Sequence, residues 1–456
     1  MDNILDTKLA LNALREVINN QQWDQLADAT AALHVQDVAK AIDDLPADSL
    51  TEAFTALPEA LQHEVFSYLD LLSQMELLDA LDAPQGRALF ASLTPDDRTS
   101  LLSSAPATQV EQLLRLLSAD DMKLALTLLG YPEHSAGRLM TPRFVRLRPD
   151  WTLSQALAHV RRCGEPEEHI NTLYVLDNER HLLSTVSLKR LVMLEGDQPV
   201  ASLLADTRPV AIEASEDREV AVRLIQHYDI TALPVVDKQG AMLGVVTVDD
   251  VMDVAQEETT EDFHKIGGMG AVGLSLRDAR PSLLYRKRVG WLVLLVFMNI
   301  FGGAGIAYFE ETIEAVIALV FFLPLIVDSG GNAGSQSATL MVRALATGDV
   351  QARDWLRLWG KELGVATALG LTMGAAVWGL GLWRGGSEVA MVVSLAMVAV
   401  VVIGSMVGML LPFLLTRLKF DPATASAPLI TSIADISGIL IYFSIATAIL
   451  TIPAAG

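Results

Sequence analysis

Three stretches of this chain carry no charged side chain over lengths that dictate their surroundings. Val289–Phe309 and Leu363–Trp383 each run 21 residues without one, and Val389–Thr416 runs 28. A helix of about 20 apolar residues crosses a hydrocarbon core about 30 Å thick. Ala315–Val342 and Ala423–Gly456 are similar but hold one acid each, Asp328 and Asp435. The pattern predicts five membrane-spanning helices.

The rest of the chain is of the opposite character. The 456 residues are 51% hydrophobic yet carry a net charge of −22. From Val289 onward there are seven Lys+Arg and ten Asp+Glu, which leaves −19 in residues 1–288. An acidic soluble half is joined to an apolar half. Such acidity argues against a nucleic-acid partner, because phosphate contacts need Lys and Arg. The single cysteine, Cys163, allows no intramolecular disulfide and no thiolate metal cluster. MDNILDTKLALNALREV lacks a basic region followed by an apolar core, so no signal peptide is expected and the soluble half is placed in the cytoplasm.

Basic residues favour alternate loops. Arg286, Lys287 and Arg288 precede the first span, while Glu310, Glu311 and Glu314 follow it. Arg343, Arg353, Arg357 and Lys361 lie between the second and third, and Arg417 and Lys419 between the fourth and fifth. This predicts a cytosolic N-terminus and an external C-terminus in the inner membrane. Pro324, Gly330, Gly331 and Gly334 are expected to interrupt the second span, exposing backbone carbonyls beside a cavity. Gly404 and Gly408 form a small-xxx-small pair suited to helix packing.

Two modules precede the membrane half. Residues 1–130 read as short helices stopped at Leu45-Pro46, Leu57-Pro58 and Thr94-Pro95, with Thr94 and Asp96 as candidate caps, and their rhythm fits a small superhelix. In residues 131–254, TLYVLDNERHLLSTVSLKRLV at 172–192 repeats as ALPVVDKQGAMLGVVTVDDVM at 232–252, an offset of 60. Each copy reads strand, turn, strand, helix. Extra length in the first copy is assigned to 164–168. Residues 255–285 read as one long helix connecting these modules to the spans at 286–456.

Asp435 is the most informative residue. An ionised group in mid-span costs at least about 2.5–3.5 kcal/mol on insertion scales, so it marks a function. Thr431, Asp435 and Gly438 share one helical face. No span contains a basic residue, so the obvious counter-charge is a cation. In a symmetric dimer two such carboxylates would balance one divalent ion. A protonated, hydrogen-bonded acid and a proton relay are the alternatives. Asp328–Ser337 is almost wholly small or polar, and its oxygens suit a hard cation or that ion's water shell.

The segment GGNAGSQSATLMVRALATGD resembles the signature of the MgtE magnesium channel family. SAGRLMTP at 135–142, EETTEDFHKIGG at 257–268 and DPATASAPLITSIADISG at 421–438 resemble further parts of it, and the repeat looks like a tandem pair of CBS domains. The resemblance implies a multidomain membrane protein: an all-α superhelical N-domain, an α/β CBS pair, a plug helix and a five-helix transmembrane domain. It implies a homodimer in the bilayer that takes up Mg2+, with Asp435 holding the hydrated ion at the dimer axis. Asn332, Ala427 and Pro428 match pore-lining positions. Asp421, just before the last span, matches an acid in a cytosol-facing gating site, and Glu261 and Asp262 match acids at the start of the plug helix, with Glu258 beside them as a further metal candidate. Asp229, Asp249, Asp250 and Asp253, with Asp96 and Asp97 of the N-domain, match acids that bind regulatory Mg2+ and close the cytosolic domains. CBS pairs often bind adenosine nucleotides, which makes ATP a candidate ligand. A proton-coupled secondary carrier for divalent cations is the alternative to a gated channel. An anion channel is disfavoured, since the spans offer acids and no basic site. An enzyme is not expected, because no nucleophile motif, His-rich metal site or phosphate loop is present.

Overall fold

The computed structural model describes residues 2–163, 169–194, 198–204, 208–271 and 279–450, in two compact units, Met1–Ala255 and Gln256–Gly456. The 164–168 insertion, part of the connector and the last residues of the fifth predicted span lie outside the described residues.

The first unit begins with ten α-helices among the described residues, from Asp2–Asn19 to Ala119–Leu129. Helices two apart pack on each other, Val35–Asp43 on Glu59–Ser67 and Ala47–Ala56 on Leu71–Ala80, which winds the chain into the expected superhelix. Prolines set the rhythm because they start helices well and continue them badly. Pro46, Pro58 and Pro106 stand immediately before helices, and Pro95 occupies the first turn of Pro95–Ser104. Thr94 caps that helix by accepting from the Asp97 amide at 3.3 Å. Asp96 is no cap; it is buried in the first turn. Leu14, Phe54, Phe66, Phe90 and Leu101 fill the core.

The repeat folds into two three-stranded sheets. The first holds β1 (Arg146–Leu147), β2 (Thr172–Leu176) and β3 (Leu182–Ser187); the second holds β4 (Ile212–Glu213), β5 (Ala232–Val236) and β6 (Met242–Thr247). In each, the first strand pairs parallel with the second and the second antiparallel with the third. The 60-residue offset is thus an offset of register. Asp177 and Asp237 play equivalent parts in the two copies, since each carboxylate accepts two backbone amides that close the β2–β3 or β5–β6 turn.

In the second unit four helices are long and apolar enough to cross a membrane: Pro281–Tyr308, Ala318–Ala346, Trp355–Arg417 and Ala427–Ile449. The third has 63 residues, or about 95 Å at 1.5 Å per residue, three times the hydrocarbon core. It breaks at Gly386, whose φ of 78° and ψ of −172° suit glycine alone. The two arms fold back on each other. Gly381 lies against Ala390, Gly374 against Ser394, and Gly370 against Val398, and Ser394 Oγ donates to the Gly374 carbonyl at 2.9 Å. Five apolar helices result, as the sequence predicts. Glycine pairings give their directions. Gly330 meets Gly404 and Gly334 meets Gly408, so the second and fourth spans run parallel. Gly331 meets Thr431 while Gly438 meets Val327, so the fifth runs antiparallel to the second.

Two expectations are corrected. The second span is one helix from Ala318 to Ala346; Pro324 offers no N–H to the Val320 carbonyl, but the helix continues past it and through the glycines. Its glycines serve close packing: the carbonyls of Gly404 and Gly334 occupy the space that a Cβ at Gly334 or Gly408 would need. The connecting helix, Val248–Ile266, does not extend through 285. Gly268, at φ 70°, ends it in a Schellman motif, with Met269 N donating to His264 O and Gly268 N to Lys265 O.

Candidate ion path and acidic sites

Asp435 lies half-buried midway along the fifth span. A Cβ at Gly331 would stand 3.1 Å from Thr431 Cγ2 and 3.5 Å from Asp435 Oδ1, so Gly331 lets the carboxylate approach the second span. Asp435 and Asp328 line one recess of about 700 Å3, with Phe321 and Pro324 on its wall. Asn332 Nδ2 donates to Asp328 Oδ2 at 3.0 Å. Asp328, Asn332 and Gln336 are all exposed and recur every four residues, forming a polar stripe along the second span. A guanidinium, that of Arg384, sits 5.4 Å from the Phe321 ring centroid, at the loop between the third and fourth spans.

Ala427 and Pro428 open the fifth span, which Ser426 caps. Just before it, Asp421 Oδ1 accepts from Ala423 N at 2.8 Å. Its other oxygen meets Lys265 Nζ at 2.5 Å, and Lys265 also reaches Glu261 Oε1 at 2.6 Å. Asp262, on the same helix, is pushed up to about 6 by burial and then by repulsion from Asp421, with Lys265 acting against both. Glu258 adds to that repulsion. The end of the helix sits close to the spans: a Cβ at Gly268 would be 2.6 Å from Trp291 and 3.3 Å from Pro428.

The first unit gathers a second set of acids. Asp96 is buried, and its Oδ1 has no hydrogen-bond partner. Burial, then repulsion from Asp97, pushes its carboxyl up to about 6. Thr247 Oγ1 donates to Asp250 Oδ2 at 2.5 Å. Burial and then Asp96 hold Asp250 higher still, at about 8, with Asp249 and Asp97 adding to the effect. Asp97 and Asp253 are raised as well, by burial first and then by Asp249 among their neighbours. Only acids supply the charge effects on these four groups. Asp229 does something else: it is exposed at φ 49° and ends the helix Arg218–Tyr228. Among the described residues, no three His, Cys, Asp or Glu side chains converge tightly enough to ligate an ion directly. A hydrated magnesium ion, which keeps several of its waters, needs no such convergence. The orphaned Asp96 oxygen and the one-sided charge fit such a cation.

Comparison with known proteins agrees with this architecture. The profile of the MgtE divalent cation transporter family matches residues 323–445, that of the MgtE intracellular N domain matches 33–134, and that of the CBS domain matches 136–196 and 200–257. The magnesium transporter MgtE of Thermus thermophilus is 36% identical over 449 residues, covering 98% of this chain and 99% of that protein. The chain belongs to the MgtE family of magnesium transporters. MgtE of Bacillus subtilis is 31% identical, over 95% of this chain and 99% of that one. The solved cytosolic domain of the Mg2+ channel MgtE in complex with ATP is similar at 32% identity and a TM-score of 0.50, over 54% of this chain and 99% of that one. The soluble part of a magnesium transporter matches at 26% identity and the same TM-score, over 55% of this chain and 99% of that one.

For an MgtE chain the acids singled out from sequence thus fall into three groups, Asp435 beside the second span, Asp421 with Glu258, Glu261 and Asp262, and Asp96 with Asp97, Asp249, Asp250 and Asp253, while Asp229 stands apart as a helix C-cap. Sequence reasoning missed Asp328 as the companion of Asp435, although its four-residue spacing from Asn332 was visible. It also missed Lys265, whose only local signal is its four-residue spacing from Glu261.

Proposed function

We propose that this chain works as a homodimeric magnesium channel gated by cytosolic Mg2+, with the N-terminus in the cytosol and the C-terminus outside. The observation that carries the reading is the polar stripe Asp328–Asn332–Gln336 beside Asp435, all reaching one face of the membrane unit. Lipid tails offer these groups no partner, so such a face belongs against protein or a water-filled path. A second copy related by a twofold axis covers it. Two Asp435 carboxylates then supply two negative charges to one divalent ion that retains its water. Asn332, Ala427 and Pro428 would line the same path. Arg286, Arg353, Arg357, Lys361 and Arg417 set the orientation.

Gating follows from charge. With Mg2+ scarce, Asp96, Asp97, Asp249, Asp250 and Asp253 repel one another and the cytosolic modules open. With Mg2+ abundant the ion bridges them, the modules close, and the connecting helix blocks the path beside Asp421. The ion shifts this equilibrium by its differential affinity for the closed state. The CBS pair supports an adenosine nucleotide such as ATP as a second cytosolic ligand, as in the related solved domain.

Current recordings from reconstituted protein test the transport reading. Discrete conductance steps that vanish as cytosolic Mg2+ rises support it. Saturating flux with proton counter-movement would instead make the protein a carrier. The sensing reading has its own test. Above pH 8, where Asp250 is ionised, Asp250→Asn removes one repelling charge, so without Mg2+ residues 1–255 of the full-length protein should resist protease longer than in the wild type. Added Mg2+ should then protect the variant less. The pH dependence has a definite sign. Asp96 and Asp250 bind protons more tightly folded, at about 6 and about 8, than at the ordinary 3.8. The folded form therefore holds extra protons between pH 4 and 8, and its stability falls as pH rises through that window. Saturating Mg2+ should flatten the slope; an unchanged slope counts against an ion at these acids.

A further inference from the structure

Lys265 is a cation inside a group of acids that the proposed gating assigns to Mg2+. We propose that Lys265 is a positioning residue: a tethered counter-charge for Asp421 that holds the end of the connecting helix against the chain leading into the fifth span without any bound metal. The inference rests on the reading that this helix closes the path.

Three observations within the second unit carry it. Lys265 Nζ lies 2.6 Å from Glu261 Oε1 on its own helix and 2.5 Å from Asp421 Oδ2, 156 residues away. The first contact orients the ammonium and the second crosses to another element. The Lys265 and Asp421 side chains are 28% and 38% exposed, so the pair is shielded more than an ordinary surface pair. Second, the chain just past Lys265 is built for close docking. Gly268 turns it at φ 70°, with no room for a Cβ beside Trp291, and Ile266 packs against the apolar cluster that includes Ala423, Ala425 and Ile430. Third, the docked arrangement brings Asp262 near Asp421, and these repel. Lys265 is the cation that opposes this repulsion, and removing it would leave Asp262 and Asp421 docked without that opposition. Mg2+ and the ammonium are thus interchangeable in kind at this contact. The lysine supplies a constant bias toward closure, and the ion adds to it.

The test uses the full-length protein with Cys163→Ser and Ile266→Cys, reading the rate at which a maleimide labels position 266. In the parent, docking slows labelling. Lys265→Gln should speed it about tenfold without Mg2+, the size of effect expected for breaking a partly shielded charge pair. Lys265→Arg should keep the parent rate. Adding Asp421→Asn to Lys265→Gln should slow labelling again, because the repulsion is gone; Asn retains the acceptor for Ala423 N. An unchanged rate in Lys265→Gln, or a double variant labelled as fast as the two single effects multiplied, overturns the proposal. Mg2+ gives a separate outcome. If it leaves labelling of the parent unchanged, the gating reading fails, while the Lys265 comparison still decides the latch.

Discussion

Asp435→Ala is expected to lower Mg2+ flux in reconstituted vesicles by at least about hundredfold, with the protein still folded and assembled. Two unit charges 4 Å apart at an effective dielectric of about 20 attract by about 4 kcal/mol, and every 1.4 kcal/mol is a factor of ten. In the proposed twofold path both carboxylates are lost at once. Asp435→Asn separates charge from hydrogen bonding: it keeps an oxygen and a similar shape but removes the charge, so its flux should fall like that of the alanine variant. Asp328→Asn should cost less, because its oxygen holds Asn332 from the same helix. Wild-type flux in Asp435→Ala would end the assignment of this residue to the ion path.

Gly408→Val should have the largest effect on stability. The Gly334 carbonyl of the second span occupies the place a Cβ would take, and Gly404 meets Gly330 in the same way one turn earlier. Neither helix backbone can retreat without separating spans that also hold Val400 against Gly330. Overpacking costs about 1–3 kcal/mol where side chains can shift, and here the obstruction is backbone on both sides. Thermal unfolding of the detergent-solubilised protein should drop by at least several degrees, and flux should be lost with it. Gly303→Ala is the control: nothing lies within 4 Å of a Cβ there, so stability should hardly change.

Local patterns carry much of the architecture. Charge-free runs reveal spans because burying a charge in lipid is costly, whatever the neighbours are. The 60-residue repeat reveals two sheets because its alternation and turn residues are local. The second-span glycines mislead for a physical reason. Within a membrane span glycine serves either at a break that lines a cavity or at a close contact with another helix, and the sequence does not show which of the two lies beside it. A single connecting helix through 285 fails because Gly267 and Gly268 form a C-terminal cap, a signal that is present in the sequence.

By itself the sequence determined that five apolar helices follow an acidic soluble half, and that Asp435 stands where a charge needs a reason. Both follow from the solvation of single side chains, which depends on residue type and run length. Only the tertiary structure decided which groups meet. It set Asp435 beside Asp328, put Asp96 near Asp250, and joined Lys265 to Asp421. These partners are 107, 154 and 156 residues apart. Attraction and repulsion act over a few ångströms, and no local pattern records which distant residues the fold brings that close.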